Sequence, residues 1–342
     1  MKIVVMKFGG TSVADLDRIK NVAEIVKRNS KEFKLVVVLS AMAGVTNSLQ
    51  KLIDEIDYES LLEQDLVITS GEQVTVGLLS MLLNKQGIKS ISLLGWQVPI
   101  ITDSNHEKAK ILNINNSKIL NCFKNYDVVV LAGFQGISKD GNVTSLGRGG
   151  SDTTAVAIAA SLEALRCDIY TDVEGVYSTD PNVDINAKKI SKISYEEMLE
   201  MSSMGAKVLQ TRSVELAMKN NLTLQVLSSL TKKPGTFIVN EKKLIEKEVV
   251  SAVTYSKNES KITISGVPDK PGISAIIFGI LANNNINVDM IVQNISQDGE
   301  NANLTFTVQS RDSELSKDVL EKNKEQIKYN NISSNSNVAK IS

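Results

Sequence analysis

The chain has 342 residues, with 38 Lys and Arg against 39 Asp and Glu and a formal net charge of -1, so it has no basic field to hold nucleic acid or an anionic lipid surface. That length suffices for two domains, with a full-sized core in at least one of them. The two cysteines, Cys122 and Cys167, stand in no metal-ligand spacing, the apolar start "MKIVVMKFGG" is too short for a signal peptide, and no run approaches the roughly 20 apolar residues of a membrane span, so reduced, packed cysteines and a cytoplasmic compartment are expected.

Up to about residue 240 the apolar residues follow two alternating periods. "KIVVMKF" reads as a continuous buried strand, and Leu16, Ile19, Val22, Ala23 and Val26 recur at helical spacing between Asp15 and Lys27. "KLVVVLSAM" predicts a second strand, followed by a helix over Asn47 to Ile56. A helix near Thr75 to Lys85 leads to the strand "SISLLG"; "YDVVVLAGF" is another strand, and Val156 to Leu165 a helix. "CDIYTDV" and "LTLQVLSS" follow as strands, with helices at Ser194 to Met201 and Arg212 to Lys219 before the second. Unbroken Val, Ile and Leu strands alternating with helices predict an α/β fold over 1–240, a three-layer sandwich about a mainly parallel sheet.

The pattern changes beyond "KKPGTFIV". The charged run "NEKKLIEKE" has no apolar face and reads as a linker or exposed helix, which sets residues 241–260 apart. Next come the strand "SKITISGV", the turn "PDKPG" and the helix "ISAIIFGILANNN". The strands "VDMIVQNI" and "NLTFTVQS", the helix "SELSKDVLEKNKEQI" and a last extended piece, "NSNVAKIS", complete the order. That β-α-β-β-α-β order over 261–342 predicts a smaller ferredoxin-like α+β domain.

Two glycine-rich strand-to-helix loops carry the chemistry. "LGRGGSDTT" follows a Lys-Asp-Gly turn suited to a hairpin and opens an alanine-rich helix. Ser151 or Asp152 can cap that helix, whose free N–H groups and dipole attract an anion. Gly147, Gly149 and Gly150 let backbone approach a ligand, and Arg148 offers a fork for carboxylate or phosphate. The spacing is neither a Walker loop nor a dinucleotide fingerprint, and alone it reads as a capped helix after a tight loop. It has a partner in "MKFGGTSV", where Lys7 ends a buried strand before Gly9 and Gly10, with Thr11 or Ser12 placed to cap the next helix. Together the loops describe a phosphoryl-transfer site: a cation for the moving charge, helix N-termini for phosphates, an aspartate to orient the cation.

On these loops the chain resembles the aspartate kinases of the amino-acid kinase family. "KFGGTSV", "VVVLSAMAGVTN", "TSGEQ", "AGFQG", "LGRGGSDTTA", "YTDVEGVYSTDP" and "GAKVL" match in the family's order, and the small domain resembles an ACT regulatory domain. The resemblance implies ATP-dependent phosphorylation of the β-carboxylate of L-aspartate to 4-phospho-L-aspartate, the entry to lysine, threonine and methionine synthesis. It implies that Lys7 bridges the phosphates, held by Asp152, while Gly9 and Gly10 donate N–H groups to them. Ser40, Thr46, Glu72, Phe134, Arg148 and Ser151 would form the aspartate pocket, Glu72 suiting the ammonium and Arg148 a carboxylate. Thr171, Asp172, Tyr177, Asp180 and Lys207 would line the nucleotide side. One position departs: Asn182 follows "STDP" where the resemblance implies an arginine on the phosphates. A carboxylate is already a nucleophile, so no strong general base is required, and Mg²⁺ would arrive on ATP rather than in a protein cage. His106, the one histidine, lies in the polar segment "DSNHEKAK" and is expected to be solvated, neither ligand nor base.

In the ACT-like domain the resemblance implies that Asp269, Gly272, Ile273, Ser274, Asn287, Val288, Asp289 and Gln293 face an effector such as lysine or threonine. Relatives carry two ACT units, and this sequence stops where the second would begin. The strand "VVSAVTY" and the terminal strand are therefore expected to lack partners, the ACT-like sheets to pair two chains into a homodimer, and lysine and threonine to inhibit weakly. Two other readings are carried: a sister enzyme acting on another small carboxylate such as acetylglutamate, and a non-catalytic amino-acid sensor. Retention of both Lys7 and Asp152 speaks against the sensor.

Overall fold

The first unit begins with β1 (Ile3–Phe8), α1 (Leu16–Asn29), β2 (Lys34–Leu39), α2 (Val45–Ile56), α3 (Leu61–Ile68), α4 (Gly71–Lys85) and β3 (Ser90–Leu93). It continues through β4 (Ile100–Thr102), β5 (Ile111–Ile114), α5 (Ser117–Cys122), β6 (Val128–Ala132), β7 (Gln135–Ser138) and β8 (Val143–Ser145). Then follow α6 (Gly150–Ser161), β9 (Arg166–Thr171), β10 (Lys192–Ser194), α7 (Tyr195–Ser203), α8 (Thr211–Lys219), β11 (Leu224–Ser228) and β12 (Thr236–Val239). These elements come from a computed structural model that describes residues 2–56, 58, 60–205, 208–243, 250–295 and 301–342. The chain divides into two compact units, Met1–Val253 and Thr254–Ser342.

Eight strands form one sheet in the order β10-β12-β11-β9-β1-β2-β6-β3. It is parallel from β11 to β3 and turns antiparallel at the β11–β12 pair. Successive side chains leave opposite faces of a strand. Val4, Met6 and Phe8 therefore pack with Ile19 and Val22 of α1 and Leu79 and Leu83 of α4. Ile3 and Val5 pack on the other face with Ala155, Ile158 and Ala159 of α6. The same alternation turns Lys7 toward α6. That helix is buried from Gly150 to Ala159, which explains its small residues: a wide side chain has no room between the layers. Cys122 and Cys167 are free and buried, as expected.

A smaller sheet, β5-β4-β7-β8, was not visible in the sequence, because strands of three or four residues show no period. Its β7–β8 pair is the hairpin that the Lys-Asp-Gly turn predicts, closed by the Gly141 N–H on Ser138 O at 3.0 Å. Helix starts differ from expectation. Residues Gly10–Val13 form a short 3-10 turn, and α1 is capped by Asp15, whose carboxylate accepts the Arg18 N–H at 2.8 Å. Ser12 instead donates to Ser229 Oγ at 2.8 Å. Helix α6 starts at Gly150 rather than Val156; Gly149 is its N-cap, and Ser151 and Asp152 lie inside its first turn without capping it. The helical stretch Leu61–Lys85 is long and apolar enough to cross a bilayer by length and composition. Here α4 packs on α1, β3 and β6, and the stretch buries Asp65 and Glu72.

The second unit runs β13 (Tyr255–Pro268), α9 (Ile273–Asn283), β14 (Val288–Ile295), β15 (Asn301–Gln309), α10 (Ser313–Lys322), α11 (Lys324–Ile327) and β16 (Asn331–Ile341). Its antiparallel sheet, ordered β14-β15-β13-β16, has the ferredoxin-like arrangement and carries a core of Ile262, Ile264, Ile277, Leu281, Leu304 and Phe306. The terminal strand is not unpaired. It runs along β13 from Ile332 opposite Ile264 to Ile341 opposite Tyr255. Thr254 and Ser342 exchange backbone hydrogen bonds at 2.9 and 3.0 Å. The end of "VVSAVTY" thus has a home, because β13 begins at Tyr255, earlier than the pattern suggests.

Candidate active site

The carboxyl ends of β1, β2 and β6 open into one cavity of about 700 Å³, where parallel sheets place their ligands. Lys7, Gly10, Ser40, Thr46, Glu72, Phe134, Arg148, Ser151 and Asp152 all border it. The sequence-predicted catalytic and aspartate-pocket residues are therefore brought together, although they span positions 7 to 152.

At the floor, Lys7 Nζ lies 2.5 Å from Asp152 Oδ1, with their side chains only 12% and 11% exposed. Asp152 sits in the first turn of α6, where the helix dipole favours an anion. With no side-chain cap, that turn offers a ligand the N–H groups of Ser151 and Asp152, those of Gly150 and Thr153 being taken by Gly147 O and Gly149 O. Gly149 lets the loop take this shape: its φ is +71°, and a Cβ there would lie 2.0 Å from Gln210 Cγ. Arg148 beside it is exposed and has no hydrogen-bond or ion-pair partner among the described residues.

The opposite wall holds Glu72, in the first turn of α4 and 3% exposed. Its Oε1 accepts the Ala41 N–H at 3.1 Å, while Oε2 is buried with no hydrogen-bond partner among the described residues. Burial pushes its carboxyl up to about 7, against the lowering effect of backbone hydrogen bonds. Phe134 is held at φ +68° by its N–H on Thr154 Oγ1 at 3.1 Å and its carbonyl under the Leu146 N–H at 2.9 Å. A bulky residue in this region stores about 1–3 kcal/mol of strain, a feature that clusters at ligand sites.

Of the residues expected on the nucleotide side, Thr171, Asp172, Tyr177 and Asp180 do not border the cavity. The Gly9 N–H donates to Tyr170 O at 3.3 Å, which sets the first glycine loop beside the end of β9. There Thr171 donates to Asp172 Oδ1 at 3.0 Å, and Tyr177 reaches Glu174 at 3.5 Å. Asp180 accepts both the N–H and the side-chain amide of Asn182, at 2.8 and 3.0 Å. Lys207 lies outside the described residues.

Asn47, Gln50, Gln64 and Lys108 also border the cavity and were not singled out, since polar residues on exposed helices and loops carry no periodic signal. His106 corrects an expectation. It is not solvated: its side chain is 13% exposed, and Nδ1 lies 2.7 Å from Oδ2 of the buried Asp65.

In the second unit, Gly272 caps α9 at φ +93°, with Ile273 and Ser274 in the first turn. Val288, Asp289 and Gln293 lie on β14, with Asn287 just before it, and Gln293 Nε2 donates to Asp269 Oδ1 at 3.2 Å. Lys340 of β16 pairs with Asp289 and holds its carboxyl below the usual range.

Comparison with known proteins agrees with this geometry. The amino acid kinase family profile matches residues 2–228, and that of the ACT domain residues 251–323. An aspartate kinase of Pseudomonas putida is 48% identical over 345 residues, covering 100% of this chain and 84% of its own length. An aspartokinase of Bacillus sp. is 45% identical over 346 residues, with the same coverage. Among solved structures, E. coli aspartokinase III in complex with aspartate and ADP is 27% identical with a TM-score of 0.81, over 99% of this chain and 87% of that one. The same enzyme with lysine and aspartate has a TM-score of 0.77 at 26% identity, over 100% and 86%. The chain belongs to the amino acid kinase family, on its aspartate kinase branch.

Proposed function

We propose that this chain transfers the γ-phosphoryl group of ATP to the β-carboxylate of L-aspartate, giving 4-phospho-L-aspartate and ADP. The observation that carries the reading is one cavity bordered by the Lys7–Asp152 pair, the free Arg148 fork and the buried Glu72 carboxylate. Arg148 takes a carboxylate of the amino acid, and Glu72 Oε2, which lacks a partner, takes its ammonium. Ser40, Thr46 and Ser151 supply hydroxyls, and Phe134 closes against the bound substrate. The β-carboxylate then faces the γ-phosphorus as a ready nucleophile. Lys7, oriented by Asp152, meets the charge that develops on the transferring group. Thr171, Asp172, Tyr177, Asp180 and Lys207 belong to the nucleotide side, reached through Gly9 and Gly10. Mg²⁺ comes with ATP, bound to its phosphate oxygens.

The same reading gives catalysis to residues 1–240 and amino-acid sensing to 261–342, with lysine or threonine at the Gly272 end of α9. A homodimer through the second unit draws support from β14, an edge strand that exposes Met290, Ile291, Val292 and Ile295. Light scattering reads that state directly, and a monomer at micromolar concentration refutes it. A cytoplasmic enzyme fits the reduced cysteines.

The test is ADP release coupled to aspartate hydroxamate formation, across a panel that includes acetylglutamate. Aspartate-dependent turnover supports the reading. Turnover with acetylglutamate alone replaces the substrate, and none with any carboxylate leaves a sensor.

A further inference from the structure

His106 and Asp65 have no part in the chemistry above, yet they form a largely buried pair at its edge, where Asp65 borders the cavity. Asp65, on α3, has no exposed surface. Both its oxygens are engaged: His106 Nδ1 lies 2.7 Å from Oδ2, and the Glu107 N–H reaches both oxygens at 3.2 Å. A buried carboxylate must be matched by such partners, so this one fixes the chain at 106 and 107. Glu107 is held at φ +63°, a conformation that a side-chain-bearing residue keeps only where its surroundings impose it.

The consequence appears one contact further on. A Cβ on Gly147 would come within 2.8 Å of Glu107 O, so the glycine loop rests directly on this imposed backbone. Gly147, at φ +74°, is followed by Arg148, and Glu107, Gly147 and Arg148 all border the cavity. The supporting segment is itself closed: Asp103 accepts the N–H groups of Asn105 and Lys110, and the Ala109 N–H donates to Ser145 O at 3.0 Å. On its other side Arg212 donates to both Leu146 O and Ala109 O at 2.9 Å.

We propose that Asp65 and His106 are positioning residues for Arg148: by fixing Glu107 they set the glycine loop at the height from which the guanidinium meets the amino-acid carboxylate. The pair touches no substrate and acts through Glu107 and Gly147. This rests on the reading of Arg148 as the aspartate partner.

The test uses His106→Ala, His106→Asn and Asp65→Asn in the full chain, with steady-state kinetics for both substrates and a melting curve for each variant. His106→Ala is expected to raise the KM for aspartate about five- to fiftyfold, within the range of ångström-scale misplacement of a substrate-holding group, while kcat and the KM for ATP stay within about twofold. His106→Asn, whose amide nitrogen can stand where Nδ1 stood, is expected to recover most of the affinity. An unchanged KM for aspartate in His106→Ala overturns the proposal. So does a rise shared equally with ATP, or no rescue by asparagine, which is what a merely loosened scaffold would give. Should Asp65→Asn fail to fold, His106→Ala decides. A wild type with no aspartate-dependent turnover overturns the reading of Arg148 and takes this proposal with it, whereas an active wild type with unmoved variants overturns the positioning alone.

Discussion

Lys7 and Glu72 show how one residue's surroundings set its task. Lys7 is a cation held 2.5 Å from Asp152 at the end of a buried strand, and removing one such preorganised donor costs about 10²- to 10³-fold in rate. Lys7→Ala is therefore expected to lower kcat by that factor while shifting the KM for aspartate far less; an unchanged kcat removes Lys7 from the mechanism. Glu72 works against the fold. Its carboxyl rises from 4.5 to about 7 because burial disfavours its anion, so the native state binds the proton that the unfolded chain has released. The stabilisation is complete below pH 4.5, disappears as pH climbs through 7, and amounts to about 3 kcal/mol. Binding an ammonium needs the anion, so the KM for aspartate should fall as pH rises toward 7 and then level. Glu72→Gln should flatten that profile, weaken aspartate binding above pH 7 while approaching the wild type at lower pH, and make the chain more resistant to urea at pH 8 than the wild type. A Gln variant that keeps the pH profile of KM would show that another group titrates.

At the scale of elements, the glycine loop before α6 and the turn around Asn182 make different demands. Gly149→Ala meets both a left-handed φ of +71° and Gln210 at 2.0 Å. It is expected to cost at least about 1–2 kcal/mol from the backbone alone, read as a lower melting temperature, and to raise the KM for aspartate by moving Arg148. The Asn182 side chain is spent on Asp180 and brings no charge to the phosphates. Asn182→Arg is expected to lower the KM for ATP and leave that for aspartate nearly unchanged; an equal or higher value would mean that another cation already serves. These loops were legible in the sequence because glycine, a cation and a following helix form a local signature. The six-residue strands β1 and β2 were legible for a similar reason, since each is a continuous apolar run. Helix α6 was read too short because its start, Gly149-Gly150-Ser151, is a string of helix breakers locally and becomes helical only where the sheet buries it. His106 was misread for a related reason: its polar neighbours describe a solvated loop, and only Asp65, distant in sequence, shows otherwise. Lys7 and Asp152 lie on different elements, and sequence predicts their meeting only through the alternation that turns Lys7 toward α6.

For the whole molecule, the proposed amino-acid sensing in the second unit has to reach the kinase reaction. The terminal strand expected to lack a partner has one, because β16 pairs along β13. The same strand supplies another reason for a weak response. In the proposed effector seat, Asp289 is the carboxylate suited to an effector's ammonium, and Lys340 of β16 already occupies it. An internal cation competes with an external one for the same oxygens. The competition is modest: Asp289's side chain is 63% exposed, and pairs of this kind are worth about 0–1 kcal/mol, or up to about fivefold in an equilibrium. Feedback also requires that the effector prefer one of two conformations, since equal affinity for both shifts nothing. Lys340→Met keeps the apolar stem and removes the charge. It is expected to lower the lysine concentration for half-inhibition by up to about fivefold, and to enlarge any rise in melting temperature at a given lysine concentration, while kcat without lysine stays at the wild-type value. The salt dependence separates this from a packing effect: added salt should narrow the gap between wild type and variant, because it screens the pair that the variant lacks. A Lys340→Met chain with unchanged or weaker lysine sensitivity would remove Asp289 from the effector seat and leave its pairing with Lys340 as a strand-to-strand contact alone.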